Sequence, residues 1–325
     1  MATLYIFGNG FDLHHGFKTS YDDFRKYVMV KRPDLYEKIE TYNKNNFFNG
    51  ELGKNWSDIE KALELNAGGI LAKANKKTEF NPEIICKNIL YVFKNMFREW
   101  VLEQEKSIET TDRTKADLKL DCNDYYFTFN YTKTLEYLYG VTKIENTFPH
   151  IMFIHNSISD PWGLIFGRYS NIKRTELEQN QALCSIYKSF QKPTDQKYRE
   201  KCGIHISLNP KIGKDLPNIE TIKVYGHSLN FEFDEDKKLI EDGYYFEQIR
   251  DAFPKANWVF YYYKKTDIPI EIEAIKRLSL GGKDSSIRPE SELYKDKNSY
   301  LSRYGKKAIK DNEYNKLLDR EKLHN

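Results

Sequence analysis

The segment Thr3-Leu4-Tyr5-Ile6-Phe7-Gly8-Asn9-Gly10 constrains the fold of this chain more than any other. A short apolar run that stops on two glycines reads as a buried parallel strand entering a tight turn. Gly8 and Gly10 can take backbone angles closed to other residues, and they let a diphosphate approach amide N–H groups near a helix start. The next glycine is Gly16, so the spacing departs from the G-x-G-x-x-G dinucleotide fingerprint. Behind the turn, Ser20-Tyr21-Asp22-Asp23 reads as a capped helix start, followed by Phe24, Tyr27 and Val28 at helical spacing.

The same alternation continues along the chain. Residues 40 to 55 are polar and Asn-rich, a loop, and Ser57-Asp58-Ile59-Glu60 opens a helix through Leu65. A longer helix begins at Asn81-Pro82, where Ile85, Ile89, Val92, Phe93, Met96, Phe97, Trp100 and Val101 form an apolar stripe. Strands are expected at Tyr125 to Phe129, His150 to Ile154 and Ile222 to Tyr225, with Trp258 to Tyr263 as the final one. Helices are expected from about Thr132 to Tyr139, Thr175 to Phe190 and Tyr245 to Phe253, and Ile204 to Leu208 reads as extended. Strands alternating with helices give an α/β chain, a Rossmann-like and mainly parallel sheet flanked by helices. We expect one such domain over residues 1–270, with a helical insertion at about 40–120 serving as a cap, then a helical, basic tail over 271–325.

Composition excludes more than it assigns. With 51 basic and 48 acidic residues the net charge is +3 and the signs are interspersed, so no nucleic-acid surface is signalled. No apolar run approaches the ~20 residues of a membrane span, and the first residues lack a charged leader. A cytoplasmic protein is expected. Cys86, Cys122, Cys184 and Cys202 form no C-x-x-C pair, so reduced thiols are expected and no zinc ribbon. Aromatic residues reach 15%, which implies a ring-rich core but no chemistry.

Four strand ends carry small or polar residues: Gly8-Asn9-Gly10-Phe11-Asp12, Thr128-Phe129-Asn130-Tyr131, His155-Asn156 and Gly226-His227-Ser228. In an open parallel sheet ligands bind outside the carboxyl ends of the strands, so these four can converge on one site. His14-His15, in the glycine loop, is expected to face solvent, with orientation of a phosphate as the alternative. Metal binding there is not expected, since adjacent residues rarely point at one ion and no carboxylate has ligand spacing.

The opening LYIFGNGFDLHHGFKTSYDDF resembles that of the AbiH-like abortive-infection proteins. Trp-Ser-Asp-Ile-Glu at 56–60, Phe-Asn-Tyr-Thr at 129–132, Phe-Ile-His at 153–155 and Tyr-Gly-His-Ser-Leu-Asn at 225–230 continue the resemblance in order, over roughly residues 3 to 263. That family is in turn distantly similar to sirtuin-like domains, whose pattern is a Gly-x-Gly loop, an Asn after a strand, a strand-end His and a late Gly-x-Ser. The resemblance implies an anti-phage role and hydrolysis of NAD to nicotinamide and ADP-ribose when triggered. It puts Asn130 and His155 in the catalytic places and Gly8, Asn9, Gly10, Asp12, Gly226 and Ser228 where NAD is held. The usual His-Gly reads His155-Asn156 here, and Asp234, Asp236 and Asp242 are alternatives for a late acidic position.

The chemistry suits those residue types. The nicotinamide of NAD leaves as a neutral ring through an oxocarbenium-like state, so no acid is needed and a two-carboxylate pair is dispensable. An uncharged amide positions water and ribose hydroxyl. A histidine near its ordinary pKa of ~6.5 accepts the proton. Besides the nucleotide, a homo-oligomer or a partner defence protein is expected, and since an active NAD hydrolase would harm its own host, a resting state that is silent until assembly or a ligand activates it. The alternative is a module that senses nucleotides or binds partners without cleaving. A serine hydrolase built on Gly226-His227-Ser228 is disfavoured because the only later histidine is His324. Deacylation is disfavoured by the missing C-x-x-C pairs, and a two-metal nuclease by the absence of clustered carboxylates.

Overall fold

The computed structural model describes residues 2–44, 56, 82–141, 150–158, 164, 218–233, 239–240, 242–281 and 285–294. Strand β1 (Ala2–Phe7) occupies the middle of a sheet, as a continuous apolar run requires. Its parallel neighbours are β2 (Tyr125–Thr128) on one side and β4 (Ile219–Tyr225) on the other. The sheet continues outward from β2 to β3 (Ile151–Phe153), and from β4 to β7 (Asn257–Tyr262) and β8 (Ser285–Pro289). Among the described residues this gives six parallel strands in the order β3-β2-β1-β4-β7-β8. A short antiparallel pair, β5 (Glu232–Phe233) and β6 (Leu239–Ile240), stands apart.

Counted along the sheet, that order is the doubly wound Rossmann arrangement. The chain reverses its direction of travel between β1 and β4, and the crevice outside the carboxyl ends of these two strands is where such sheets accept ligands.

Burial on both faces explains why the strands are apolar rather than alternating. Leu4 and Ile6 of β1 join Phe127, Val224 and Phe260 under Phe246 and Ile249 of helix α6 (Asp242–Ala252). Tyr5 and Phe7 point the other way, toward Tyr126, Tyr225, Phe11 and Leu135. Short helices α1 (Gly10–His14) and α5 (Thr134–Tyr139) follow β1 and β2, and α7 (Ile268–Arg277) leads toward β8.

Between β1 and β2 lie α2 (Tyr21–Lys31), α3 (Pro33–Lys44) and α4 (Pro82–Glu109). Ser20 caps α2 through a capping box, its hydroxyl accepting from Asp23 N and the Asp23 carboxylate accepting from Ser20 N. The α4 stripe packs as its spacing requires, with Phe93, Met96, Phe97, Trp100 and Val101 meeting Phe24 and Val28 of α2, Leu35 and Ile39 of α3, and Trp56.

The sheet does not end at Tyr263 as the sequence suggests. β8 reads Ser-Ser-Ile-Arg-Pro, a half-buried edge strand without an apolar run, and only its pairing with β7 identifies it. The helices expected at 57–65 and 175–190, the extended segment at 204–208 and the tail from 295 lie outside the described residues.

Candidate functional site

A cavity of about 480 Å³ opens at the switch point, within the range typical of small-molecule sites. The structure brings to its wall each residue that the resemblance assigns to catalysis or to NAD: Gly8, Asn9, Gly10, Asp12, Asn130, His155, Gly226 and Ser228. They come from the ends of β1, β2, β3 and β4. The far wall comes from the helical insertion, through Tyr21, Phe97, Trp100, Val101 and Gln104.

The glycines have a structural cause the sequence hides. A Cβ on Gly8 would lie 2.5 Å from the Gly226 carbonyl oxygen, and one on Gly10 would lie 2.6 Å from the Gly226 Cα. The two loops touch backbone to backbone. Gly8 N donates to Tyr225 O at 3.1 Å and Gly10 N to Gly226 O at 2.8 Å. These two amides are therefore committed to the β4 loop, and the diphosphate cradle expected of them is not available from their N–H groups.

Asp12 sits at the base of the cavity, 1% exposed. Its two oxygens accept from the hydroxyls of Thr132 and Thr134, the latter at 2.7 Å, which ties the β1 loop to the β2 loop. Burial pushes its carboxyl up to about 6, opposed chiefly by the two hydroxyls. Close by, Glu105 of α4 accepts from Lys133 N at 2.7 Å and is pushed up to about 7, again chiefly by burial.

Asn130 is 5% exposed, and neither Nδ2 nor Oδ1 of its amide has a hydrogen-bond partner among the described residues. Leaving a buried amide unsatisfied costs roughly 1–3 kcal/mol, so such groups mark places where something else binds. The backbone of Asn130 is secured separately, its N–H donating to Thr128 Oγ1 at 3.1 Å.

Two side chains to which the sequence gives no role of their own, His227 and the late-acid candidate Asp242, complete the site. His155 Nε2 lies 3.4 Å from Asp242 Oδ1, and His227 Nε2 lies 3.2 Å from Asp242 Oδ2, so one carboxylate spans two imidazoles. His227 Nδ1 accepts from Leu229 N at 3.0 Å, which leaves the proton of the neutral ring on Nε2, facing Asp242. Of the three late acids, Asp242 is the one placed at the cavity. Asp234 and Asp236 lie outside the described residues. Flanking residues of His227 were singled out, but nothing in the sequence ties it to an acid at the start of α6. Asn156 adopts φ +61°, a conformation that Gly supplies freely and Asn tolerates, which accounts for the departure from His-Gly.

His14 and His15 overturn the expectation of solvent exposure, being 8% and 1% exposed. α1 is short and packs its last turn against the body of the protein. There His14 Nε2 meets Asp117 Oδ1 at 2.9 Å, and His14 Nδ1 meets the Tyr225 hydroxyl at 2.8 Å. His15 Nδ1 donates to Phe11 O and its Nε2 meets the Tyr139 hydroxyl, both at 2.7 Å. Ligand atoms of His14, His15 and Asp117 lie within 4.8 Å of one another, so the carboxylate absent by spacing arrives through folding. With every ring nitrogen engaged by protein, the trio is a hydrogen-bonded network in this arrangement.

No helix among the described residues is long and apolar enough to cross a membrane. No curated protein and no solved structure matches the chain. The family model for bacteriophage abortive infection AbiH matches residues 4–262, a span that contains every residue lining the first cavity from Gly8 to Asp242, and the chain belongs to that family.

Proposed function

We propose that the cavity binds a nicotinamide dinucleotide and hydrolyses its N-glycosidic bond during abortive infection. The observation that carries this reading is the unsatisfied Asn130 amide in the wall of a switch-point cavity that also holds His155. The amide offers both a donor and an acceptor, the pair needed to hold a ribose hydroxyl and a water together. In the reaction the bond from ribose C1′ to nicotinamide N1 breaks, and nicotinamide leaves with the electron pair as a neutral ring. Water adds to C1′, and its proton passes to His155, which Asp242 orients. The likeness to sirtuin-like domains belongs to this proposal, as does the placing of NAD against Asn9, Asp12, Gly226 and Ser228.

Both atoms of the Asn130 amide are sealed from solvent, so substrate entry requires the wall to give way. That supports a protein silent at rest, as a cytosolic NAD hydrolase must be for its host to survive, whether assembly, a partner protein or a ligand releases it.

The test is the NAD content of cells carrying the protein, followed through phage infection. We expect NAD to fall and nicotinamide to appear. Asn130→Ala and His155→Ala should each slow the loss by ~10²–10⁴-fold and abolish protection while the purified variants stay folded. Protection with undiminished NAD would overturn hydrolysis. Binding of NAD without nicotinamide release would instead leave the sensing reading.

A further inference from the structure

A second cavity, of about 750 Å³, lies across the Gly10–Gly226 contact from the first, over the carboxyl ends of β4 and β7. The two share Gly10, Gly226, His227 and Ser228 as a common wall. Its chemistry differs from that of its neighbour. Asp267, Glu271 and Glu290 contribute three carboxyls, and no lysine or arginine lines it among the described residues. The basic side chains present are His14 and His227, each already set against a carboxylate, Asp117 and Asp242.

Glu271 is the member without a structural explanation. It is 4% exposed, and its Oε2 has no hydrogen-bond partner among the described residues. Glu290, by contrast, accepts from the Tyr225 hydroxyl at 2.8 Å, and Asp267 accepts from Lys264 N at 2.8 Å. A buried carboxylate left unpaired is costly unless a donor completes it. The same cavity is lined by Tyr261 and by the exposed Tyr263, whose ring carries the Lys264 ammonium 5.4 Å from its centroid, with the exposed apolar side chains of Leu13 and Ile270 beside them. Aromatic faces attract cations within about 6 Å of the ring centroid, and apolar residues at the mouth accept a methylene stem.

We propose that this second cavity is a binding site for a small aliphatic amine or guanidinium cation, whose N–H groups satisfy Glu271. Anionic ligands are repelled by the same three carboxyls, so the site is distinct from the nucleotide cavity. Because the wall at His227 and Ser228 is common to both, occupation of one is felt by the other. The inference does not depend on NAD hydrolysis.

The experiment is calorimetric titration of the full chain with agmatine and with putrescine, at ionic strength held constant with sodium chloride and with magnesium chloride as a separate arm. Saturable binding of an amine is expected. Glu271→Gln should weaken it at least ~10-fold, since the charge-assisted bond becomes neutral. Amine binding indifferent to Glu271→Gln, or absent, overturns the proposal. So does magnesium binding that depends on Glu271 where the amines fail. A protein that binds agmatine through Glu271 yet protects infected cells with their NAD undiminished would sink the hydrolase reading alone.

Discussion

At Gly226 the loop after β4 meets the loop after β1, and one missing side chain lets them touch. Its φ is +68°, and a Cβ there would lie 2.6 Å from Phe11 N and 2.8 Å from the Gly10 carbonyl carbon. Gly226→Ala therefore combines left-handed strain with a backbone clash. Strain of this kind costs of order 1–3 kcal/mol, and the clash adds to it, so urea denaturation should show a loss of at least that size. A substitution tolerated without loss would mean that the loops are not in contact. These positions also mark how far residues were legible in the sequence. Gly8, Gly10, Asn130, His155 and Ser228 were visible because they punctuate strand ends. The reason for the glycines was not, because the atom each would strike belongs to residues more than 200 positions away in sequence.

At the scale of elements, periodicity located α4 to the residue at which it starts, since Asn81-Pro82 supplies a start signal and the apolar stripe supplies the face. It could not show that one edge of that stripe, at Phe97 and Trp100, would also be a wall of the cavity, because core and pocket linings use the same side chains. The helices between β1 and β2 close on Phe24, which is fully buried and has the rings of Phe93, Phe97, Trp100 and Trp56 within about 5 to 6 Å. Removing a buried phenylalanine costs about 3–5 kcal/mol. Phe24→Ala should lower stability by that amount and loosen Phe97 and Trp100, so ligand affinity at the first cavity should fall as well. Equal affinity in the variant, measured under conditions where it is folded, would show that the helical insertion does not shape the site. β8 was illegible for the opposite reason, since a polar edge strand carries no signal until β7 is there to pair with it.

At the scale of the molecule, burial is the largest cause that lifts four carboxyls among the described residues: Asp12 to about 6, Glu105 to about 7, Glu271 to about 7, and Asp124 in the same direction. Each binds its proton more tightly in the folded state than in the unfolded chain, where it titrates near 4. The contribution of the first three to stability is therefore complete below about pH 4 and is lost as pH rises through 6 to 7. Asp34, held down to about 2 chiefly by Arg32, has the opposite sign but is fully exposed and adds little. Glu271 isolates the effect best, because no hydrogen bond is lost with its charge, whereas Asp12 holds two threonines and Glu105 caps Lys133. Glu271→Gln removes the ionisation and keeps the shape. Its Tm should exceed that of the parent at pH 8, and the difference should shrink toward zero by pH 5, where the parent carboxyl is already protonated. A gap that stays constant from pH 5 to pH 8 would mean that Glu271 does not hold a proton in the fold. A stabilised Glu271→Gln that also loses amine binding would show that the unpaired acid is retained for its ligand at the expense of stability.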